Sequence, residues 1–100
     1  MDKNEVIDKL KKYKLLVSEH FDIDKVILYG SYASGNPRID SDIDVAIVVN
    51  SIDEAYFSYA PLLWKLRRQI DDRIEPVLVE KDKDHSGFLQ EIMRTGFVIT

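Results

Sequence analysis

The sequence predicts an α/β fold in which a small mixed β-sheet has helices packed against it. One observation is that apolar side chains recur at helical spacing in three segments, namely residues 4–20, 53–70 and 85–95. Another is that runs rich in apolar and β-branched residues predict strands at 25–29, 42–49, 73–80 and Phe97–Ile99. The helical and strand segments alternate along the chain, which favours strands covered by helices over a helical bundle or an all-β sandwich.

Composition limits the kinds of protein this chain can be. With 100 residues it has room for one domain, which we expect to span residues 1–100. No apolar run is long enough for a membrane span, and the charged N-terminus resembles no signal peptide, so we expect a cytoplasmic protein. The absence of cysteine excludes disulfides and thiolate metal sites. The 14 basic and 18 acidic residues give a net charge of −4, which disfavours nonspecific binding of nucleic acid.

Single residues mark the ends and interruptions of the predicted elements. Asn4 is the predicted N-cap of the first helix, and Gly96 is placed to end the last one. Pro61 lies inside the second helical segment and predicts either a kink or two separate helices. Pro76 cannot donate a ladder hydrogen bond, so it predicts an edge position or a bulge for the strand that contains it.

The connection between the first two strands begins at Gly30 and runs for about a dozen residues, a length that is usually functional. Gly30 and Gly35 have the spacing of a P-loop, but Asn36 and Pro37 stand where lysine and a hydroxyl residue are required. Gly30 allows a sharp backbone turn close to a ligand. Ser31 can cap a short helix that runs through Ala33 or Ser34 and ends at Gly35, and free N–H groups at such a helix start favour an anion. Taken alone, the Gly-Ser pair is equally a tight turn after a strand.

Carboxylates follow this connection at the start of the second strand. Asp42 and Asp44 are separated by one residue, so both are expected on one face of the strand, with Ile43 directed into the core. Two carboxylates on one face repel each other and stay ionised only beside a cation, and an all-oxygen site suits Mg²⁺ or Mn²⁺. Glu75 supplies a third oxygen ligand if its strand lies beside the second, and three carboxylates can hold two metal ions for phosphoryl chemistry. A charged Glu75 on an edge strand is also a known device against edge-to-edge pairing.

The pattern of Gly30-Ser31, ten residues, and then Asp42-x-Asp44 resembles the signature of the DNA polymerase β-type nucleotidyltransferase superfamily. Over its full length the chain resembles the minimal nucleotidyltransferases, or MNT domains. Genes for such domains frequently stand beside a gene for a HEPN-domain protein in prokaryotic toxin–antitoxin pairs. The resemblance implies a polymerase β-like fold and a nucleotidyltransferase activity.

The resemblance also implies a role for each matching residue. Gly30 and Ser31 would hold the β- and γ-phosphates of a nucleoside triphosphate, which we expect to be ATP. Asp42 and Asp44 would bind two Mg²⁺ ions. Glu75 would be the third catalytic carboxylate, as a metal ligand or base. The reaction would move AMP onto a hydroxyl of a partner protein, expected to be a tyrosine of a HEPN protein, and release pyrophosphate.

The sequence departs from the commonest family pattern at the third carboxylate. Glutamate rather than aspartate stands at Glu75, and Pro76 follows it, so Glu80 is kept as an alternative ligand. The departure also leaves two other functions open. The chain could be an antitoxin that neutralises a HEPN protein by contact without catalysis, or a nucleotidyltransferase that acts on a small molecule or an RNA end. Homo-oligomers and hetero-oligomers are both compatible with the sequence.

Overall fold

Four strands form one mixed sheet in the order β3-β2-β1-β4. The computed structural model describes residues 2–35, 41–50, 56–83 and 86–100. The elements are, in chain order, α1 (Lys3–Ser18), β1 (Ile23–Tyr29), α2 (Ser31–Ser34), β2 (Ile43–Val49), α3 (Tyr56–Leu66), a 3₁₀ turn (Arg67–Gln69), β3 (Ile74–Glu80), α4 (Phe88–Thr95) and β4 (Phe97–Ile99). The predicted α/β class is therefore confirmed.

The sheet combines antiparallel and parallel pairing. β1 pairs antiparallel with β2 on one side and with β4 on the other, whereas β2 and β3 pair in parallel. The parallel pair requires a long crossover, which includes α3 and the 3₁₀ turn. β3 is an edge strand, which agrees with the position predicted from Pro76.

Each face of the sheet has its own apolar cluster. On the face that we call the covered face, α1 buries Val6, Leu10, Tyr13 and Val17 against alternate residues of β1 and β2. The Tyr13 hydroxyl donates to the carbonyl of Leu63 at 2.7 Å and so joins α1 to α3. On the opposite face, a smaller cluster consists of Ile27, Ala46, Val48 and Ile92. This second face is covered by α4 alone among the described helices, so it stays more open to solvent.

Two predicted boundaries are wrong for identifiable reasons. The N-cap of α1 is Asp2 and not Asn4, because the Asp2 carboxylate accepts from the backbone N–H of Glu5 at 2.8 Å and the helix already includes Lys3. β2 begins at Ile43 and leaves Asp42 just outside the strand.

Further differences concern the later helices. α4 begins at Phe88, since Gly87 has a φ of 76° that a helix cannot contain. Pro61 lies inside α3, and the helical segment ends in a 3₁₀ turn rather than continuing to residue 70. Residues 53–55 and 85 of the predicted helices lie outside the described residues. No helix among the described residues is long and apolar enough to cross a membrane.

Asp71 fixes the start of β3. Its carboxylate accepts from Lys9 Nζ at 2.7 Å and from the backbone N–H of Arg73 at 2.8 Å, and it also contacts the Arg73 guanidinium. The side chain is only 11% exposed. Although burial opposes ionisation, hydrogen bonds from Arg73 and Lys9 hold the pKa of Asp71 well below its usual value. The carboxylate therefore ties α1 to the segment that leads into β3.

We predict that Asp71→Asn lowers the free energy of unfolding by about 1–2 kcal/mol at pH 7, because hydrogen bonds to a charged group are lost. Since the pKa of Asp71 is lowered in the folded state, its stabilisation is present above the ordinary aspartate pKa of about 3.9 and is lost below it. Urea unfolding should therefore show a difference between wild type and variant that shrinks as the pH falls from 7 to 3.

The matched control is Asp8→Asn, on the exposed face of α1. It should leave the unfolding midpoint almost unchanged. An equal loss of stability in the two variants would contradict the role assigned to Asp71.

Candidate active site

The parallel pairing of β2 and β3 places two of the predicted carboxylates side by side. Asp44 and Glu75 are register partners, and Tyr29 of β1 is the partner of Asp44 on its other side. Because residues that are paired in register share a face of the sheet, the three side chains form a row on the face that carries α4. Asp42 lies one residue before β2 at the same end of the sheet. The structure thus brings the predicted carboxylates together.

The electrostatics of the row agree with this proximity. Burial and the negative charge of Asp42 raise the pKa of Asp44. The pKa of Glu75 is also raised, first by burial and then by the charges of Asp42 and Asp44 together with a hydrogen bond to Asp42. Burial, followed by the negative charges of Asp44 and Glu75, raises the pKa of the Tyr29 phenol. Each of the three groups is therefore affected by the negative charge of its neighbours in the row.

Gly30 makes the turn from β1 to α2 directly against Asp44. Its backbone has a φ of 76° and a ψ of −150°, a conformation that residues with a Cβ rarely adopt. A Cβ on Gly30 would overlap the Asp44 carboxylate at Oδ2. The predicted Gly-Ser turn therefore contacts Asp44, one of the two predicted aspartates. A residue with a Cβ at position 30 would displace the Asp44 side chain.

Ser31 is the first residue of α2 and not its predicted cap, since the N-cap is Gly30. Its carbonyl accepts from the Ser34 hydroxyl at 3.0 Å and from the backbone N–H of Gly35, which closes this single helical turn. Gly35 ends the turn in the left-handed conformation, as predicted from the sequence. Residues 36–40, which complete the connection, lie outside the described residues.

The donor set fits a hard divalent cation. Three carboxylates offer only oxygen, which Mg²⁺ prefers. Burial and neighbouring negative charge raise the pKa values of Asp44 and Glu75, and a bound divalent cation would neutralise that charge. Within the described ranges, however, no three His, Cys, Asp or Glu side chains are already arranged to hold a metal ion. Mutual repulsion between the carboxylates opposes the closer approach that a metal site requires.

Comparison with known proteins identifies the family. Residues 8–100 match the family model described as polymerase beta, nucleotidyltransferase. The chain belongs to the polymerase beta nucleotidyltransferase family. It is 25% identical over 96 residues to a candidate protein adenylyltransferase of Methanocaldococcus jannaschii, and the match covers 95% of this chain and 94% of that protein.

Solved structures share the fold of this nucleotidyltransferase. A nucleotidyltransferase candidate from Sulfolobus solfataricus superposes with a TM-score of 0.68 at 18% identity, covering 96% of this chain and 80% of that one. A toxin–antitoxin structure with AMP-PNP gives a TM-score of 0.62 at 22% identity, covering 100% and 73% of the two chains. A complex of the tri-AMPylated Shewanella oneidensis HEPN toxin with its MNT antitoxin gives 0.60 at 22% identity, covering 96% and 71%.

Two residues of the nucleotidyltransferase site were not singled out from the sequence. Tyr29 was assigned only to a strand, although its place directly before Gly30 and the alternation of side chains could have put it on the carboxylate face. Its ring meets Phe88 of α4 edge to face, with centroids 5.4 Å apart. Arg67 lies in the 3₁₀ turn, where its guanidinium donates to the carbonyl of Ile74 at 3.0 Å and its charge favours ionisation of Glu75. No sequence signal locates Arg67, because tertiary packing sets the 3₁₀ turn.

The alternative third ligand, Glu80, is at the opposite end of β3 from Glu75. Glu80 pairs in register with Val49, the last residue of β2, whereas Asp44 is near the first. Glu80 follows Glu75 by five residues, a distance along the strand of about 17 Å at 3.3 Å per residue. The fold therefore favours Glu75 as the carboxylate that joins the aspartates.

We predict that Gly30→Ala lowers the free energy of unfolding by about 3 kcal/mol or more, because backbone strain adds to the overlap with Asp44. Gly35→Ala is the matched control, since Gly35 also has a positive φ, 84°, but a Cβ there meets nothing within 4 Å. Its cost should be about 1 kcal/mol, from backbone conformation alone. Chemical denaturation of both variants measures the difference, and equal losses would show that the contact with Asp44 is unimportant.

We also predict that Glu75→Gln raises the thermal stability of the metal-free protein. The amide retains hydrogen bonding toward Asp42 but removes one of the repelling charges, which should be worth about 0.5–1 kcal/mol. We expect millimolar Mg²⁺ to stabilise the wild type and to stabilise this variant much less, because the variant lacks one candidate carboxylate ligand. Calorimetry with and without Mg²⁺ tests both effects, and a loss of stability in metal-free buffer would argue against a repelling cluster.

Proposed function

We propose that this nucleotidyltransferase is Mg²⁺-dependent and moves AMP from ATP onto a hydroxyl of a partner protein. The observation that carries the proposal is the contact of Gly30 with Asp44, in register with Glu75. A turn suited to phosphate thereby adjoins carboxylates suited to metal ions. The related protein from Methanocaldococcus jannaschii is named as a candidate protein adenylyltransferase. That name supports transfer of an adenylyl group to a protein.

The phosphate end of ATP is assigned to the turn between β1 and α2. Gly30 has no side chain to exclude a phosphate, and the backbone there turns sharply away from the sheet. Ser31 adds a hydroxyl that can donate to a phosphate oxygen. Both residues would hold the β- and γ-phosphates. The α-phosphate would then lie beside the row of carboxylates.

Asp42, Asp44 and Glu75 would hold the metal ions. Bound Mg²⁺ supplies neutralisation of the triphosphate and of the charge that develops on the leaving pyrophosphate. The carboxylates themselves fix where the ions sit relative to the Gly30 turn. They also exclude other anions from the site by repulsion, so that a triphosphate enters only as its metal complex.

The proposed transfer is a displacement at the α-phosphorus. The acceptor hydroxyl oxygen forms a bond to the α-phosphorus, while the bond from that phosphorus to the oxygen that bridges to the β-phosphate breaks. Pyrophosphate leaves with the electron pair. The hydroxyl proton passes to a base, a role for which the Glu75 carboxylate is placed when it is not itself a metal ligand.

A HEPN protein is the proposed acceptor, and the chain would then act as the antitoxin of a HEPN–MNT pair. The fold shared with the MNT antitoxin of Shewanella oneidensis, whose HEPN toxin partner is tri-AMPylated, supports this choice. ATP as donor and a sequence without cysteine are compatible with action in the cytoplasm.

The test is incubation of the protein and the product of its genomic neighbour with α-labelled ATP and Mg²⁺. We expect label on the neighbour and release of pyrophosphate. The variant Asp42→Asn with Asp44→Asn should lower the rate by about 10²-fold or more, because metal ions contribute several kcal/mol to such transition states.

Asp82→Asn, in the exposed turn after β3, is a matched control that should retain full activity. Absence of label on any protein would contradict the proposal. A double aspartate variant that folds, fails to transfer AMP and still blocks toxicity in cells would instead assign the antitoxin function to contact alone.

A further inference from the structure

The C-terminal part of α3 and the 3₁₀ turn present an exposed aromatic and basic surface. Trp64, the single tryptophan of the sequence, is 43% exposed, and Lys65 and Arg68 are exposed beside it. Residue 68 follows residues 64 and 65 by four and three positions, a helical spacing that brings side chains near one another. We call these three residues together with Arg67 the Trp64 surface. It carries positive charge on a chain whose net charge is −4.

Arg67 holds the Trp64 surface in a defined arrangement. Its guanidinium carbon lies 4.7 Å from the centre of the Trp64 ring. The same guanidinium donates to the carbonyl of Ile74 at 3.0 Å and to that of Asp72. Since both carbonyls belong to the entry of β3, the tryptophan is fixed to the strand that carries Glu75. An exposed tryptophan held in place loses little conformational entropy when a partner covers it.

The Trp64 surface also adjoins the candidate active site. Ile74 directly precedes Glu75, and the Arg67 charge acts on the Glu75 carboxyl. The residue that precedes β3 is already bonded to β2, since the Ile43 N–H donates to the Arg73 carbonyl at 2.8 Å. A macromolecule that covers Trp64 would thus reach the end of the sheet where Asp44 and Glu75 lie.

We propose that the Trp64 surface is the docking site for an acidic segment of the protein that accepts the nucleotidyl group, an inference that rests on the proposed function. Tryptophan and arginine are the residues that most often dominate protein interfaces, and Lys65 and Arg68 form a charged rim around them. Charge complementarity selects an acidic partner segment. The acidic chain as a whole repels a nucleic-acid backbone, which favours protein over RNA as the occupant.

The probe is a random copolymer of glutamate and tyrosine, which offers both acidic side chains and acceptor hydroxyls. Because Trp64 is the only tryptophan, its fluorescence reports binding at this surface directly. We expect a saturable fluorescence change whose dissociation constant rises about tenfold in Lys65→Glu with Arg68→Glu, as two attractive charges become repulsive. A lysine–tyrosine copolymer should give no such change.

The matched control is Lys11→Glu with Lys83→Glu, which alters the net charge equally at exposed positions on α1 and beyond the far end of β3. It should change the dissociation constant less than twofold, a change smaller than about 0.4 kcal/mol. Equal weakening by the two double variants would overturn the proposal, since net charge alone would then explain binding. Tighter binding of polyuridylate than of the acidic copolymer would overturn it in favour of nucleic acid.

The binding measurement separates this inference from the proposed function. Asp42→Asn with Asp44→Asn should bind the acidic copolymer at least as tightly as the wild type does, because those residues are outside the Trp64 surface and their removal only lessens repulsion. Transfer from α-labelled ATP is measured in parallel. Binding without any transfer would contradict the proposed function alone, whereas transfer that is indifferent to Lys65→Glu with Arg68→Glu, at limiting acceptor concentration, would contradict the docking site alone.

Discussion

The parallel pairing of β2 with β3 is the constraint on which the candidate site depends. Asp44 and Glu75 are 31 positions apart in the sequence, and only the crossover through α3 and the 3₁₀ turn brings them into register. A shift of one residue in that register would move Glu75 to the opposite face, because side chains alternate along a strand. The contacts that fix the start of β3 therefore determine whether a third carboxylate is present.

Several interactions around that start act together. Asp71 receives hydrogen bonds from Lys9 and from Arg73, so α1 and the turn before β3 share one partly buried charge. Arg67 donates to the carbonyl of Ile74, and the Arg73 carbonyl accepts from Ile43. The segment that leads into Glu75 is thus held by groups outside the carboxylate cluster. The contacts of Asp71 and Arg67 stabilise this part of the fold without neutralising the carboxylates. The carboxylates therefore keep the negative charge that would attract cations.

The sequence was sufficient for the parts of the site that are local. The turn at Gly30 and the burial of Ile43 beside Asp44 depend on neighbouring residues, and both agree with the sequence prediction. Asp42, predicted within the strand, lies just outside it. The sequence predicted Glu75 beside Asp44 only if the third strand lay next to the second. Strand order depends on the whole chain and could not be deduced locally. Tyr29 and Arg67 escaped notice because their importance comes from tertiary neighbours. The N-cap was misplaced at Asn4 because Asp2 and Asn4 are equally good capping residues in isolation.

The two faces of the sheet explain how so small a fold can leave a site accessible. α1 and α3 cover the face that carries Ile43 and Ile74, which are fully buried, so the core is completed there. The other face has α4 alone among the described helices, and Val77, two residues beyond Glu75 on that face, is 41% exposed. A row of carboxylates on the covered face would be too costly to desolvate. The alternation along β2 and β3 assigns the apolar residues to the covered face, and the carboxylates consequently meet solvent, substrate and cations on the open one.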